Sequence, residues 1–334
     1  MDCFVPRMSR QSAPRPSTFS IVARDPEQDA VGVAVQSKFV SVGSVVPFVS
    51  ADAGAVATQS FANVAYGPDG HDLLRRGKSA KEVVMELTGA DPEFESRQLG
   101  VVKSPVAMRD QGIDDAGEEG ETIAAFTGAD CFDYAGDIQG EHYTVQGNIL
   151  ENPETLEAMA DAFEETEGGL PERLIAALHA GNDAGGDKRG EQSAALYIAK
   201  PQGGYEGRND RWVDVRVDDH ETPIDELERV FKIYDVTLLE REEPDETRDL
   251  SDGTAEQVSE TLADLGFFDG TPSGTFDDDE RDALEDFRGM NNFENHSIPV
   301  LEDALARGWD DTDGDGEERM VDAIWHGLSR LDRK

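Results

Sequence analysis

Cysteine, basic side chains and long apolar runs are all scarce in this chain, and each shortage closes off a class of protein. Only Cys3 and Cys131 are present in 334 residues, too few for a disulfide framework. Lys and Arg number 30 against 72 Asp and Glu, a net charge of −42. Such a surface repels nucleic-acid phosphates and anionic membranes alike. No stretch approaches the ~20 apolar residues of a membrane span, and the opening MDCFVPRMSRQSAPRPS lacks the apolar core of a signal peptide. The expected location is therefore the cytoplasm. The acidic excess suits a solvated surface of the kind found in high-salt cytoplasm, where carboxylates hold water. The six His residues show neither an i, i+4 pair nor zinc-site spacing. Asp311-Thr312-Asp313-Gly314-Asp315-Gly316 imitates half of a calcium loop, but position twelve is Asp322 rather than Glu. Asp218-Asp219-His220 reads more simply as an acidic strand end than as a cation site. Neither metal nor cofactor is expected.

Periodicity divides what is there. Residues 1–17 read as an extended leader or propeptide, with Met8 an alternative start. Phe19–Ala23 and Val31–Val35 are two β-branched runs around the turn-forming Asp25–Asp29, a hairpin signal. Further strands are expected at Gly54–Thr58, Gln98–Val102, Ile123–Phe126, His142–Gln146, Ser193–Ala199 and Trp212–Val217. Gly112–Gly120 reads as a hairpin loop. Ser79 and Glu82 form a capping box for one helix, and Asn152-Pro153 opens another, with Leu156, Met159, Ala160 and Phe163 at helical spacing. Helices are also expected after Pro171 and Pro223. This order fits an α+β fold in four layers, αββα, with two antiparallel sheets covered by helices on both outer faces. The charged stretch 240–253 is the expected linker. Residues 254–334 then read as a small all-α domain, with Thr254/Gln257 and Asp277/Glu280 as capping boxes.

The hairpin places a hydroxyl, Thr18, at the start of one strand and Gln36-Ser37-Lys38 at the end of the next, so these ends lie side by side. Thr is common at strand starts, and a Lys at a strand end commonly faces solvent.

The run TFSIVARDPEQDAVGVAVQSK, followed by GAVATQ, QLGVV, QGN, GGDKRGEQSAAL and VRVDDH, resembles an uncharacterised domain family over roughly residues 17–234. That family belongs to the N-terminal-nucleophile hydrolases, the superfamily of the proteasome β subunit. Its members usually begin with Met followed by this strand, so that Thr becomes residue one. The resemblance implies a small-molecule or peptide amide substrate and Thr18 as nucleophile. The Ser17–Thr18 bond must then be cut, or translation must begin nearer to it. The free α-amino group, with a pKa of about 7.7–8.0, would serve as base. Lys38 would lower the pKa of the Thr18 hydroxyl and amine by its charge. Asp187 resembles the Asp ahead of a Gly/Ser-rich turn in proteasome-like subunits and would orient the amine, with Arg189, Gln192 and Ser193 beside it. The chain departs from that pattern in carrying Lys188-Arg189 inside the turn. Gln59, Ser60, Gln146 and Asn148, in the Thr58–Ser60 and Gly147-Asn148 turns, are candidates for the oxyanion hole or for holding a substrate amide. Turn capping is the plainer role for them. Sandwiches of this kind often pair through their helical layers, which allows a homo-oligomer and leaves the oligomeric state open. A catalytically silent binding or assembly protein on the same scaffold is the alternative reading. LGFFDG…SGTFDDDERDALEDF resembles peptidoglycan-binding-like three-helix modules, for which a packing or docking role is expected here.

Overall fold

A computed structural model describes residues 18–113, 121–239, 247–307 and Ile324. The leader 1–17, the calcium-loop imitation at 311–322 and residues 240–246 of the charged stretch lie outside these residues. The chain forms two compact units that divide after Glu228.

The first unit is a helix–sheet–sheet–helix sandwich. One sheet has six strands: β1 (Thr18–Asp25), β2 (Ala30–Ser37), β7 (Gly136–Gln139), β8 (Tyr143–Asn148), β9 (Ser193–Ala199) and β10 (Arg211–Val217). Their spatial order is β10-β9-β2-β1-β8-β7, and every paired neighbour is antiparallel. The other sheet runs β3-β4-β5-β6: β3 (Pro47–Ser50), β4 (Gly54–Gln59), β5 (Gln98–Lys103) and β6 (Ile123–Thr127). Val22, Val31, Val33 and Val35 of the first sheet meet Ala55, Ala57 and Val102 of the second in a dry core. The period-2 alternation of β1 and β2 sends Phe19, Ile21 and Ala34 to the opposite face, also buried. Helices α4 (Glu154–Glu165) and α5 (Leu170–Asp183) cover that face, while α1 (Tyr66–Arg75) and α2 (Ala80–Ala90) cover the outside of the smaller sheet. The expected four-layer α+β arrangement is the observed one.

Local signals explain most boundaries. Ser79 and Glu82 form the reciprocal capping box of α2, and Asn152 Oδ1 accepts from Thr155 N, 3.0 Å, at the start of α4. The expected hairpin loop Gly112–Gly120 lies outside the described residues over 114–120, and a helix precedes it in the segment between β5 and β6. That helix is α3 (Pro105–Gln111), capped by Ser104, with proline at its first position and Gly112 ending it in the left-handed region. Two expected turns differ. Gly147 and Asn148 lie inside β8, and Thr58 and Gln59 inside β4. The chain turns only afterwards, at Ile149 and at Ser60-Phe61.

Helix α6 (Pro223–Leu238) contains the division between the units. The second unit packs α7 (Asp252–Leu265), α8 (Asp278–Met290) and α9 (Ile298–Arg307) around Val258, Leu262, Leu284, Phe287, Leu301 and Leu305. Asp277 and Glu280 form the expected capping box of α8. Helix α7 begins at Asp252, two residues before Thr254, so Thr254 is not its cap.

Candidate functional site at the start of the central strand

Four residues stand in one row across the larger sheet. The register pairs Thr18 with Asn148 on one side and with Ser37 on the other, and Ser37 in turn with Ser193. Side chains at paired positions share a face, here the one turned toward the second sheet. Thr18 Oγ1 lies 3.0 Å from Ser37 Oγ. Ser193 Oγ accepts from Val42 N, 3.1 Å, and donates to the Phe39 carbonyl, so it fixes the loop that follows β2. The same alternation turns Lys38 away from Thr18. Its ammonium donates to the Glu191 carbonyl at the surface, 2.8 Å. There it lines a hollow of about 510 Å³ together with Gln192, Asp219 and His220. The hairpin therefore brings Ser37, rather than the Lys38 ammonium, to the Thr18 hydroxyl.

Asp187 does reach this end of the sheet, through backbone. Its Oδ2 accepts from Lys38 N at 2.8 Å and its Oδ1 from Arg189 N at 2.9 Å. Arg189 also closes an ion pair with it at 3.2 Å. Asp187 forms a β-bridge to Leu150, supported by Glu151 N to Gly186 O and Lys188 N to Ile149 O. Asn148 faces Thr18, so Leu150 faces the place two positions upstream of Thr18 in the same lane. Gly186–Lys188 thus fills the lane between β2 and β8 in line with β1. Gly186 permits the turn at φ +56, beside Asn182, where a Cβ would come within 2.9 Å of its Oδ1.

Behind Thr18 the two sheets enclose a cluster of uncharged polar side chains. Ser20 donates to Gln59 Oε1 at 2.6 Å, and Gln59 Nε2 donates to Gln98 Oε1 at 2.8 Å and to the Gln146 carbonyl at 3.2 Å. Gln146 Nε2 reaches Ser20 Oγ at 2.6 Å, and Asn148 Nδ2 reaches Gln98 Oε1 at 3.2 Å. Gln59 Nε2 also lies 3.3 Å from the Thr18 carbonyl. All of these residues are buried. Unbonded, each amide would cost about 1–3 kcal/mol, which is why the cluster is so densely cross-linked. Gly100 makes room for it, since a Cβ there would stand 2.3 Å from Gln146 Oε1.

Backbone strain gathers around the same end. Ser60, Phe61, Ile149 and Ser41 have φ of 57°, 43°, 52° and 56°, left-handed values that cost non-glycine residues about 1–3 kcal/mol each. Arg97 holds the strained Phe61 through its carbonyl and is itself anchored by Asp91, 3.0 Å. That arginine, hydrogen bonds from Asn63 and Tyr66, and the Glu93 N–H keep the Asp91 carboxyl well below the usual carboxylate range against its burial.

Of the residues singled out in the sequence, Thr18, Gln59, Gln146, Asn148, Asp187 and Ser193 converge here, with Ser60 at the rim and Arg189 on Asp187. Ser20 and Gln98 were not singled out. In QLGVVK, alternation puts Gln98 on the face of Gly100 and Val102, and the register sets it opposite Gln59. Among the described residues no group of three or more His, Cys, Asp or Glu is arranged to hold a metal ion. No helix among them is long and apolar enough to cross a membrane.

Residues 18–227 match the model described as "Family of unknown function (DUF1028)", and the chain belongs to that family. The match begins at the first residue of β1. Residues 237–325 match a model described as "Putative peptidoglycan binding domain". No curated protein matches. Among solved structures, the chain is similar to protein SPO2555 from Silicibacter pomeroyi, described under the same family. The identity is 29% and the TM-score 0.56, over 66% of this chain and 86% of that one.

Proposed function

We propose that the first unit is an amide hydrolase of the N-terminal-nucleophile type, acting on a small or peptide amide through Thr18. The observation that carries this reading is the position of Thr18. It opens the central strand with its hydroxyl on a second hydroxyl at 3.0 Å, while the lane upstream is filled by the Asp187 segment. A chain cut before Thr18 would present a new amine at the closed end of that lane, beside a buried carboxylate. In the intact chain the Thr18 nitrogen is an amide and has no basicity, so the reading requires the cut. Released, the amine would take the hydroxyl proton and pass it to the leaving nitrogen. The backbone of the strained Ser60-Phe61 turn would supply the donors around this end, suited to a neutral amide more than to a charged group.

The test is the mass of the purified chain and its amino-terminal sequence, followed by exposure to a threonine-reactive β-lactone. A chain beginning at Thr18 that gains one acyl group, and a Thr18→Ala chain that gains none, is the expected result. A chain that keeps residues ahead of Thr18 under all salt conditions overturns the reading and leaves a binding scaffold.

A further inference from the structure

We propose that Ser37 is a second catalytic residue, its hydroxyl donating to Thr18 Oγ and leaving the Thr18 proton free to move to the amine. The inference rests on the hydrolase reading above and adds to it a residue and a division of labour.

Two hydroxyls 3.0 Å apart share one hydrogen bond, and either can be the donor. The reaction decides between them. Thr18 Oγ must form a bond to the substrate carbonyl carbon while the C–N bond breaks. Its proton goes to the α-amino group and then to the departing nitrogen. Water later adds to the acyl ester by the reverse proton route and restores the threonine. If Thr18 donated to Ser37, its proton would point into the sheet, away from the amine. With Ser37 as donor, Thr18 Oγ–H is free to turn and its oxygen is stabilised as negative charge builds. Ser37 keeps its own proton throughout, so the step needs no further acid or base.

The surroundings hold Ser37 for this task. It is fully buried at the last position of β2. The next amide, Lys38 N, is pinned by Asp187 Oδ2 at 2.8 Å. On the far side Ser193, its register partner, ties down the following loop through Val42 N and the Phe39 carbonyl. Asp187 is thus a positioning residue, acting on Thr18 through the Lys38 backbone and Ser37. This gives the conspicuous carboxylate a role that needs no direct contact with the nucleophile, and it replaces the Lys38 ammonium, which the fold directs to the surface.

The experiment follows acylation of full-length protein by the β-lactone with time-resolved intact mass, counting only chains that begin at Thr18, across pH 6 to about 10. A hydrogen bond to a charge-bearing atom contributes enough for Ser37→Ala to slow acylation about 10–100-fold. The midpoint of the rise of rate with pH should stay where the free amine sets it, because Ser37 touches the hydroxyl and not the base. Ser37→Thr, which keeps the hydroxyl, should recover most of the rate. Loss of a purely structural serine would disturb the amine as well and move that midpoint. Wild-type protein that labels while Ser37→Ala labels equally fast with the same profile overturns the inference and leaves the hydrolase reading standing. Wild-type chains that begin at Thr18 and never label overturn both. Should Ser37→Ala fail to fold, Ser37→Cys, similar in size and a weak donor, is read by the same criteria.

Discussion

The carboxylate of Asp187 accepts a hydrogen bond from the backbone nitrogen of Lys38, 149 residues away in sequence and 2.8 Å away in space. That bond joins the loop between α5 and β9 to the end of β2, and with the Leu150 bridge it seals the lane ahead of β1. Asp187→Ala leaves two partly buried backbone N–H groups, those of Lys38 and Arg189, without their acceptor. Charge-assisted bonds of this kind contribute about 1.5–3 kcal/mol each, partly recovered by water. Urea denaturation of the variant should show a loss of about 2–4 kcal/mol. Asp187→Asn, which keeps one acceptor oxygen, should lose about half as much.

Gly100→Ala probes the amide cluster without touching any of its members. The new Cβ would lie 2.3 Å from Gln146 Oε1 and 2.8 Å from its Cδ. The glutamine must swing off Ser20, or the two sheets must part. Overpacking of a dense core costs about 1–3 kcal/mol, so the melting temperature should fall. The companion Gly77→Ala, at a position where nothing lies within 4 Å, should cost only the strain of its left-handed backbone. No loss for Gly100→Ala, whose backbone carries no such strain, would show that the contact there is unimportant.

His179 gives the sandwich a pH dependence of known sign. Its hydrogen bond to Glu228, 2.8 Å, raises its pKa above the ordinary value of 6.5, against the effect of burial, with help from the Asp225 charge. The folded state therefore holds the proton more tightly than the unfolded chain. The stabilisation is complete below the unfolded pKa and disappears as pH rises through the folded one. The stability gap between wild type and His179→Asn should be widest below the ordinary pKa of 6.5 and narrow as pH rises above it. A gap that widens with pH would contradict the pairing.

Surface charge leads to a separate expectation. At −42 the chain repels itself, and screening shortens the reach of that repulsion from about 10 Å at 0.1 M salt to about 3 Å at 1 M. The melting temperature should rise from 0.1 M to about 2 M KCl. It should rise with KCl and with NaCl alike, because screening depends on ionic strength. A flat or falling midpoint would separate the acidic composition from any adaptation to salt.

Much of this architecture was legible in one dimension because its signals are local. The β-branched hairpin, the Ser79/Glu82 box and the Asn152-Pro153 start each need only a few neighbouring residues. Helix α3 had equally local marks, Ser104 and Pro105, but the acidic glycine-rich run after it reads as the whole connection. Strand β7, GDIQ, has no apolar alternation and owes its place to pairing with β8. At the site, Thr18 could be named in advance only through the family resemblance, and Gln59, Gln146 and Asn148 because they stand where apolar strands give way to polar residues. Which of Ser37 and Lys38 meets Thr18 turns on a single step of strand parity. The opposition of Gln98 to Gln59 and the capture of Lys38 N by Asp187 depend on chain segments far apart in sequence, and no local pattern announces them.

The packing between the sheets near Thr18 consists of carboxamides and alcohols, and neither kind gains or loses a proton between strong acid and strong base. The outer shell, crowded with carboxylates, responds to every change of acidity and ionic medium, while this inner layer keeps the same donors and acceptors throughout. Any acid–base response measured at the threonine therefore has its source outside the layer, in an amine, the Asp187 carboxylate or a surface group, and the buried amides provide a fixed background against which to read it.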